Sequence, residues 1–136
     1  MTPVQLVQDI LGAYGRGDTS AVLEALAPDV EWSNATVPGL PHSAPRQGRE
    51  QVAEYLRQSA EAIEMLHFEP KEFVVEGGNV VAIGWFEARL RRTGRTARTD
   101  FAMWWHISAG KVLRYQAFMD TAALAALAEQ PAGAGA

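Results

Sequence analysis

A chain of 136 residues, 48% of them hydrophobic, can bury one sizeable core and hardly two, so a single domain is expected over residues 1–129 with a frayed tail over 130–136. A formal net charge of -4 leaves no broad basic footprint, which argues against a nucleic-acid partner; the local run Arg89, Arg91, Arg92, Arg95, Arg98 reads instead as a hairpin tip. The absence of cysteine excludes disulfides and thiolate metal ligands, and no stretch has the roughly 18 consecutive apolar residues of a membrane span or the pattern of a secretory signal, so a cytoplasmic protein that avoids membranes is expected.

Val4, Val7, Leu11 and Tyr14 form one helical stripe, and Pro3 suits a first turn, predicting a helix over 3–14. Gly15 to Asp18 breaks the pattern; Asp18 or Thr19 caps a second short helix carrying Val22, Leu23 and Leu26, which Pro28 should end. Residues 29–32 alternate as a short strand ending in Trp32. Residues 33–47, rich in Pro, Gly and Ser, read as a loop long enough to be a lid or an entrance rim. Val52, Tyr55, Leu56, Ser59 and Ile63 predict a third and longest helix over 48–65, packing by one face.

The period then shifts toward two, with turn signals at Gly77-Gly78, Thr93-Gly94 and Ala109-Gly110, predicting an antiparallel meander over 67–76, 79–91, 95–107 and 111–119, then a short helix over 121–129. Helices first and a curved sheet after make an α+β fold. If both later turns are three-residue loops with a terminal glycine, Arg91 faces Arg95 and Ile107 faces Lys111. One sheet face then carries Phe86, Arg98, Asp100, Trp104, His106, Phe118 and Asp120, a mixture of rings, small residues and polar groups suited to a lined cavity. The other carries Trp85, Phe101, Met103, Trp105, Tyr115 and Met119, so apolar that a helix layer or a second subunit should cover it, and a homodimer is expected. A one-residue slip of either turn would exchange partners.

The succession YGRGDTSAVLEALAPDVEW, QGREQVAEYL, EGGNVVAIGWFEARLRRTGR and ISAGKVLRYQAFMDTAAL resembles the SnoaL-like polyketide cyclase and hydrolase family, on the fold shared with ketosteroid isomerase and nuclear transport factor 2. The resemblance implies a cone, a bent antiparallel sheet wrapped around helices with an apolar pocket between them. It also implies that Asp120, matching the aspartate at the end of the last strand, is an acid/base residue with His106 beside it. That chemistry would abstract a proton alpha to a carbonyl in a small apolar or polyketide-like substrate, for cyclisation or isomerisation without a cofactor. Trp104, Trp32, Tyr14, Tyr55, Phe86 and Phe118 would line the pocket. Arg98 and Asp100, on the same face as Asp120, partly match the aspartate–arginine–aspartate set of limonene epoxide hydrolase, so hydrolysis is one alternative and ligand binding without catalysis is another.

Plainer readings stand beside these. Asp120 followed by Thr121-Ala122-Ala123 is also an ordinary helix cap, and a histidine such as His106 on a mixed strand face is often structural. His42, His67 and His106 lack ligand spacing, so no metal is expected. With no glycine-rich phosphate cradle and no elbow-type serine, neither a nucleotide cofactor nor serine chemistry is expected.

Overall fold

Thr2 starts the first helix by capping it: its hydroxyl accepts from the Gln5 N–H at 3.2 Å while the Gln5 side chain accepts from the Thr2 N–H at 2.8 Å. Helix α1 (Pro3–Gly15) buries Val7, Ile10 and Leu11, and Asp18 caps the short α2 (Thr19–Glu24) through the Ala21 N–H. The structure, a computed structural model, describes residues 1–129, apart from the side chain of His42; the tail expected over 130–136 lies outside the described residues. Among these residues no helix is long and apolar enough to cross a membrane.

Strand β1 (Leu26–Ser33) is longer than its sequence suggests and contains Pro28. It pairs in parallel with a later strand at Leu26 and again from Glu31 to Ser33, and Pro28 sits in the irregular stretch between, where no ladder N–H is needed. Strand β2 (Arg46–Gln47) leads into α3 (Gly48–Ala62), the longest helix. That helix stops three residues short of its sequence pattern because Ile63 pairs with Leu90, while the Arg91 N–H takes the Ala62 carbonyl at 2.9 Å. Pairing between distant residues overrides local helical periodicity here.

The meander follows as β3 (Ile63–Glu76), β4 (Asn79–Leu90), β5 (Thr96–Ser108) and β6 (Lys111–Met119), closed by α4 (Thr121–Ala125) and a 3-10 turn at Ala126–Ala128. The sheet order is β2-β1-β6-β5-β4-β3, with only the β1–β6 pair parallel. This is the mixed α+β arrangement of a curved sheet around helices.

Both later turns differ from the three-residue loops expected of them. Arg89 pairs with Thr96, and the β4–β5 loop is closed by hydrogen bonds from Leu90 N to Arg95 O at 3.0 Å and from Gly94 N to Leu90 O at 2.8 Å, which leaves four residues, Arg91 to Gly94, at its tip. The extra residue reflects a distant anchor: buried Thr93 donates to the Leu127 carbonyl at 2.6 Å. In the β5–β6 hairpin Ser108 pairs with Lys111 around a two-residue turn, with Ala109 at φ 53° and Gly110 at φ 74°. A bulge then absorbs one residue, since Ile107 pairs with Val112 but His106 with Arg114.

These registers regroup the faces. Phe86 and Ala88 of β4 share the inner face with Phe101, Met103 and Trp105 of β5 and with Val112, Tyr115 and Ala117 of β6, and α1 and α3 cover that face. The apolar face that suggested a homodimer is therefore covered within the chain itself. Trp104, His106, Arg98, Asp100 and Phe118 point to the outer face, where Phe118 is half exposed.

Candidate functional site

Three neighbouring strands set one aromatic residue each in a row. Trp32 of β1 pairs with Tyr115 of β6, which pairs with Trp105 of β5, and the rings follow at centroid distances of 4.1 and 4.5 Å. Trp32 also meets Trp105 edge to face at 5.8 Å and Tyr55 of α3 at 6.1 Å. On the opposite wall Tyr14 of α1 packs on Phe68 at 5.1 Å, and Phe68 stacks on Phe101 at 5.5 Å. Each such pair contributes roughly 0.5–1.5 kcal/mol beyond the area it buries.

Between these walls lies a cavity of about 120 Å³, bordered by Tyr14, Trp32, Tyr55, Phe86, Trp105 and Tyr115 among others. An apolar cavity of roughly 150 Å³ accepts benzene, so this one suits a single ring. The segment between β1 and β2 closes one end with Asn34, Ala35, Val37, Leu40 and Ser43, as its composition suggested. It is held in shape by Ser43, whose Oγ accepts from Val37 N at 2.9 Å and donates to Leu40 O at 2.7 Å. Gly39 turns the chain at φ 83° and rests against Ala128. Leu124 and Leu127 complete that end.

Three of the polar groups on the residues that border this cavity are donors without partners. The indole Nε1 of Trp32, that of Trp105 and the amide Nδ2 of Asn34 are buried with no acceptor among the described residues. A buried unmet donor costs about 1–3 kcal/mol, and each of these three belongs to a residue that borders the cavity. Tyr115 Oη donates to the Asn34 carbonyl oxygen at 3.4 Å, and the Tyr55 hydroxyl bonds with the side chains of Ser59 and Asn34.

Burial raises the pKa of all three phenols. Desolvation is the main cause for Tyr14, with Tyr55 adding to it; it is the main cause for Tyr55; and it is the main cause for Tyr115, with Tyr55 and Tyr14 adding. They stay neutral donors across the physiological range. No carboxylate, imidazole, amine or guanidinium lines the cavity among the described residues, so it offers neither a charged general base nor a ligand set for a hard cation.

Of the site residues expected from sequence, Trp32, Tyr14, Tyr55 and Phe86 border the cavity. The others are gathered elsewhere. Trp104 Nε1 donates to Asn79 Oδ1 at 2.9 Å, and His106 Nδ1 lies 3.0 Å from the same oxygen. Because an amide oxygen only accepts, the His106 proton is on Nδ1. Arg98 stacks over Trp85 at 3.9 Å from the ring centroid. Arg98, Asp100, Phe118 and Asp120 do come together, but around an open depression on the outer face. Asp120 is exposed, its N–H donates to Thr99 Oγ1 at 2.9 Å, and its carboxylate caps α4 by accepting from Ala123 N at 3.0 Å.

The pairing of His106 with Asp120 across a cavity is thus corrected: the cavity is on the other side of the sheet. Asp120→Ala is expected to lower stability by about 1 kcal/mol as a lost cap while leaving ligand binding in the cone unchanged. Denaturant melts and titration of the same variant check both parts.

Sequence reasoning missed Trp105, Tyr115 and Asn34 as cavity residues. For Asn34 a signal existed, since it follows Trp32 at the strand period of two. For Trp105 and Tyr115 the signal was the pure apolarity of their face, which marks the lining of a cone as well as a surface in need of cover.

The fold and site have relatives. No curated protein matches the chain. Among solved structures, an NTF2-like protein from Burkholderia xenovorans LB400 is 31% identical, over 93% of this chain and 95% of that one, with a TM-score of 0.83. TerC, co-crystallised with polyporic acid, is 25% identical over 95% of this chain and all (100%) of its own, with a TM-score of 0.82. A Catenulispora acidiphila DSM 44928 protein with a ketosteroid isomerase-like fold shares 16% identity over 93% of this chain and 94% of its own, at a TM-score of 0.76. The SnoaL-like domain profile matches residues 7–115, from the first buried residue of α1 to the tyrosine at the centre of the aromatic row, and by that match the chain belongs to the SnoaL-like family.

Proposed function

We propose that this protein binds a small, largely apolar, polyketide-like carbonyl compound, with a ring between the aromatic walls and an oxygen at the donor end. The observation that carries this reading is the trio of buried, unmet N–H groups, Trp32 Nε1, Trp105 Nε1 and Asn34 Nδ2, on residues that border a mainly apolar cavity. A carbonyl or enol oxygen accepts from such groups, whereas a hydrocarbon leaves them unmet. That TerC is crystallised with polyporic acid supports a small-molecule role for the shared cone.

The test compares acetophenone with ethylbenzene, which has a similar shape and no acceptor. Trp105→Phe keeps a ring and removes the N–H, so it should weaken acetophenone about three- to tenfold and leave ethylbenzene unchanged, by calorimetric titration. A variant that changes both compounds alike would overturn the reading.

A second reading, catalysis of cyclisation or isomerisation alpha to a carbonyl, is favoured by the phenols held neutral beside the cavity. Preorganised neutral donors stabilise the enolate oxygen that such a reaction develops. On that reading the base is supplied by the substrate or by water, because Asp120 and His106 lie outside the cone. The hydrolase alternative would act in the open depression around Arg98, Asp100 and Asp120, which lies outside the cone.

A further inference from the structure

Resting on the binding reading above, we propose that the ligand is a carboxylic acid, its apolar part in the cone and its carboxylate at a side opening where Arg91 selects it. A second hollow of about 450 Å³ lies between the end of α1, the start of α2, the end of α3 and the start of β3. Tyr14, Ser59, Met65 and Phe68 border both this hollow and the cavity, so the two share these walls. A ligand longer than one ring has this direction in which to extend.

Arg91 brings a cation to that hollow. It is exposed, and its main chain is pinned to the end of α3 by the hydrogen bond to the Ala62 carbonyl. Other arginines are committed: Arg57 to Glu54 and Glu61, Arg89 to Glu64, Arg114 to Glu31, and Arg98 to the Trp85 ring. Among the described residues Arg91 has no ion pair, and no carboxylate lines the hollow. Arg91 therefore biases the lining of the opening toward an anion. An arginine at the rim, with the donors deep inside, suits a molecule that carries a ketone at one end and an acid at the other.

The experiment titrates the full chain with para-acetylhydrocinnamate and with its primary amide at low salt. The acid should bind about three- to fivefold more tightly than the amide, a preference that Arg91→Gln removes without changing affinity for the amide and that Arg92→Gln retains. Equal affinity for acid and amide in the unmodified protein, or a preference that survives Arg91→Gln, would overturn the role of Arg91 and leave the binding reading intact. Binding of neither compound would overturn both.

Discussion

Trp105→Ala should lower the unfolding free energy by about 3–5 kcal/mol, among the largest effects expected of any single substitution in this chain. Trp105 is 2% exposed, and it packs against both Tyr115 and Trp32. Alanine would remove the ring contacts with both, extend the existing cavity into a larger void and leave β5 with no inward anchor between Met103 and Ile107. One effect opposes this: the substitution also removes an indole N–H that has no acceptor, which returns about 1–3 kcal/mol. The loss of packing outweighs that gain. Trp105→Phe separates the two, because it keeps most of the ring while discarding the N–H; its urea midpoint should lie much nearer the unmodified protein's than the alanine variant's. A phenylalanine variant as unstable as the alanine one would show that the indole N–H has a stabilising partner after all.

The second large effect is a loss of stability in alkali. The pKa values of Tyr14, Tyr55 and Tyr115 are raised by burial above the ordinary 10.0. Below about pH 10 these phenols are protonated in both the folded and the unfolded chain, so stability is independent of them. Above it the unfolded chain releases protons that the folded chain retains, and stability falls as pH rises toward the folded values. Each tyrosine contributes a slope of about 1.4 kcal/mol per pH unit, so the three together give up to about 4. The urea midpoint should hold steady from neutral pH to about pH 9 and then drop steeply, with phenolate absorbance appearing together with unfolding. Tyr115→Phe should flatten the slope by one tyrosine's share. A midpoint that stays level through about pH 11 would contradict the buried, neutral state of the phenols.

The elements of this fold were legible from period and punctuation. Val4, Val7, Leu11 and Tyr14 on one stripe, and the glycines at 78, 94 and 110, place helices and turns within a few residues of where they lie. Tyr14 and Tyr55 reached the site through the inward stripes of their helices, and Trp32 through strand alternation. What the chain order could not show was which sheet face the helices cover. That depends on the length of the β4–β5 loop, set by Thr93 reaching Leu127, a residue 34 positions away. Local turn chemistry allows three residues there as readily as four, and only the tertiary bond decides. One residue of difference puts Phe86 with Trp105 rather than with Trp104, and with that the candidate site passes from His106 and Asp120 to the two tryptophans and the phenols.

The bulge in β6 carries a consequence for how this chain can vary by descent. Leu113 and Arg114 both point outward, so one residue between Val112 and Tyr115 is surplus to the alternation of the strand. Deleting Leu113 would restore an unbroken ladder and leave Tyr115 opposite Trp105. A deletion at Gln116 would turn Ala117 and Met119 away from the cone. Length variation among relatives in the last hairpin is therefore expected on the turn side of Tyr115 rather than beyond it.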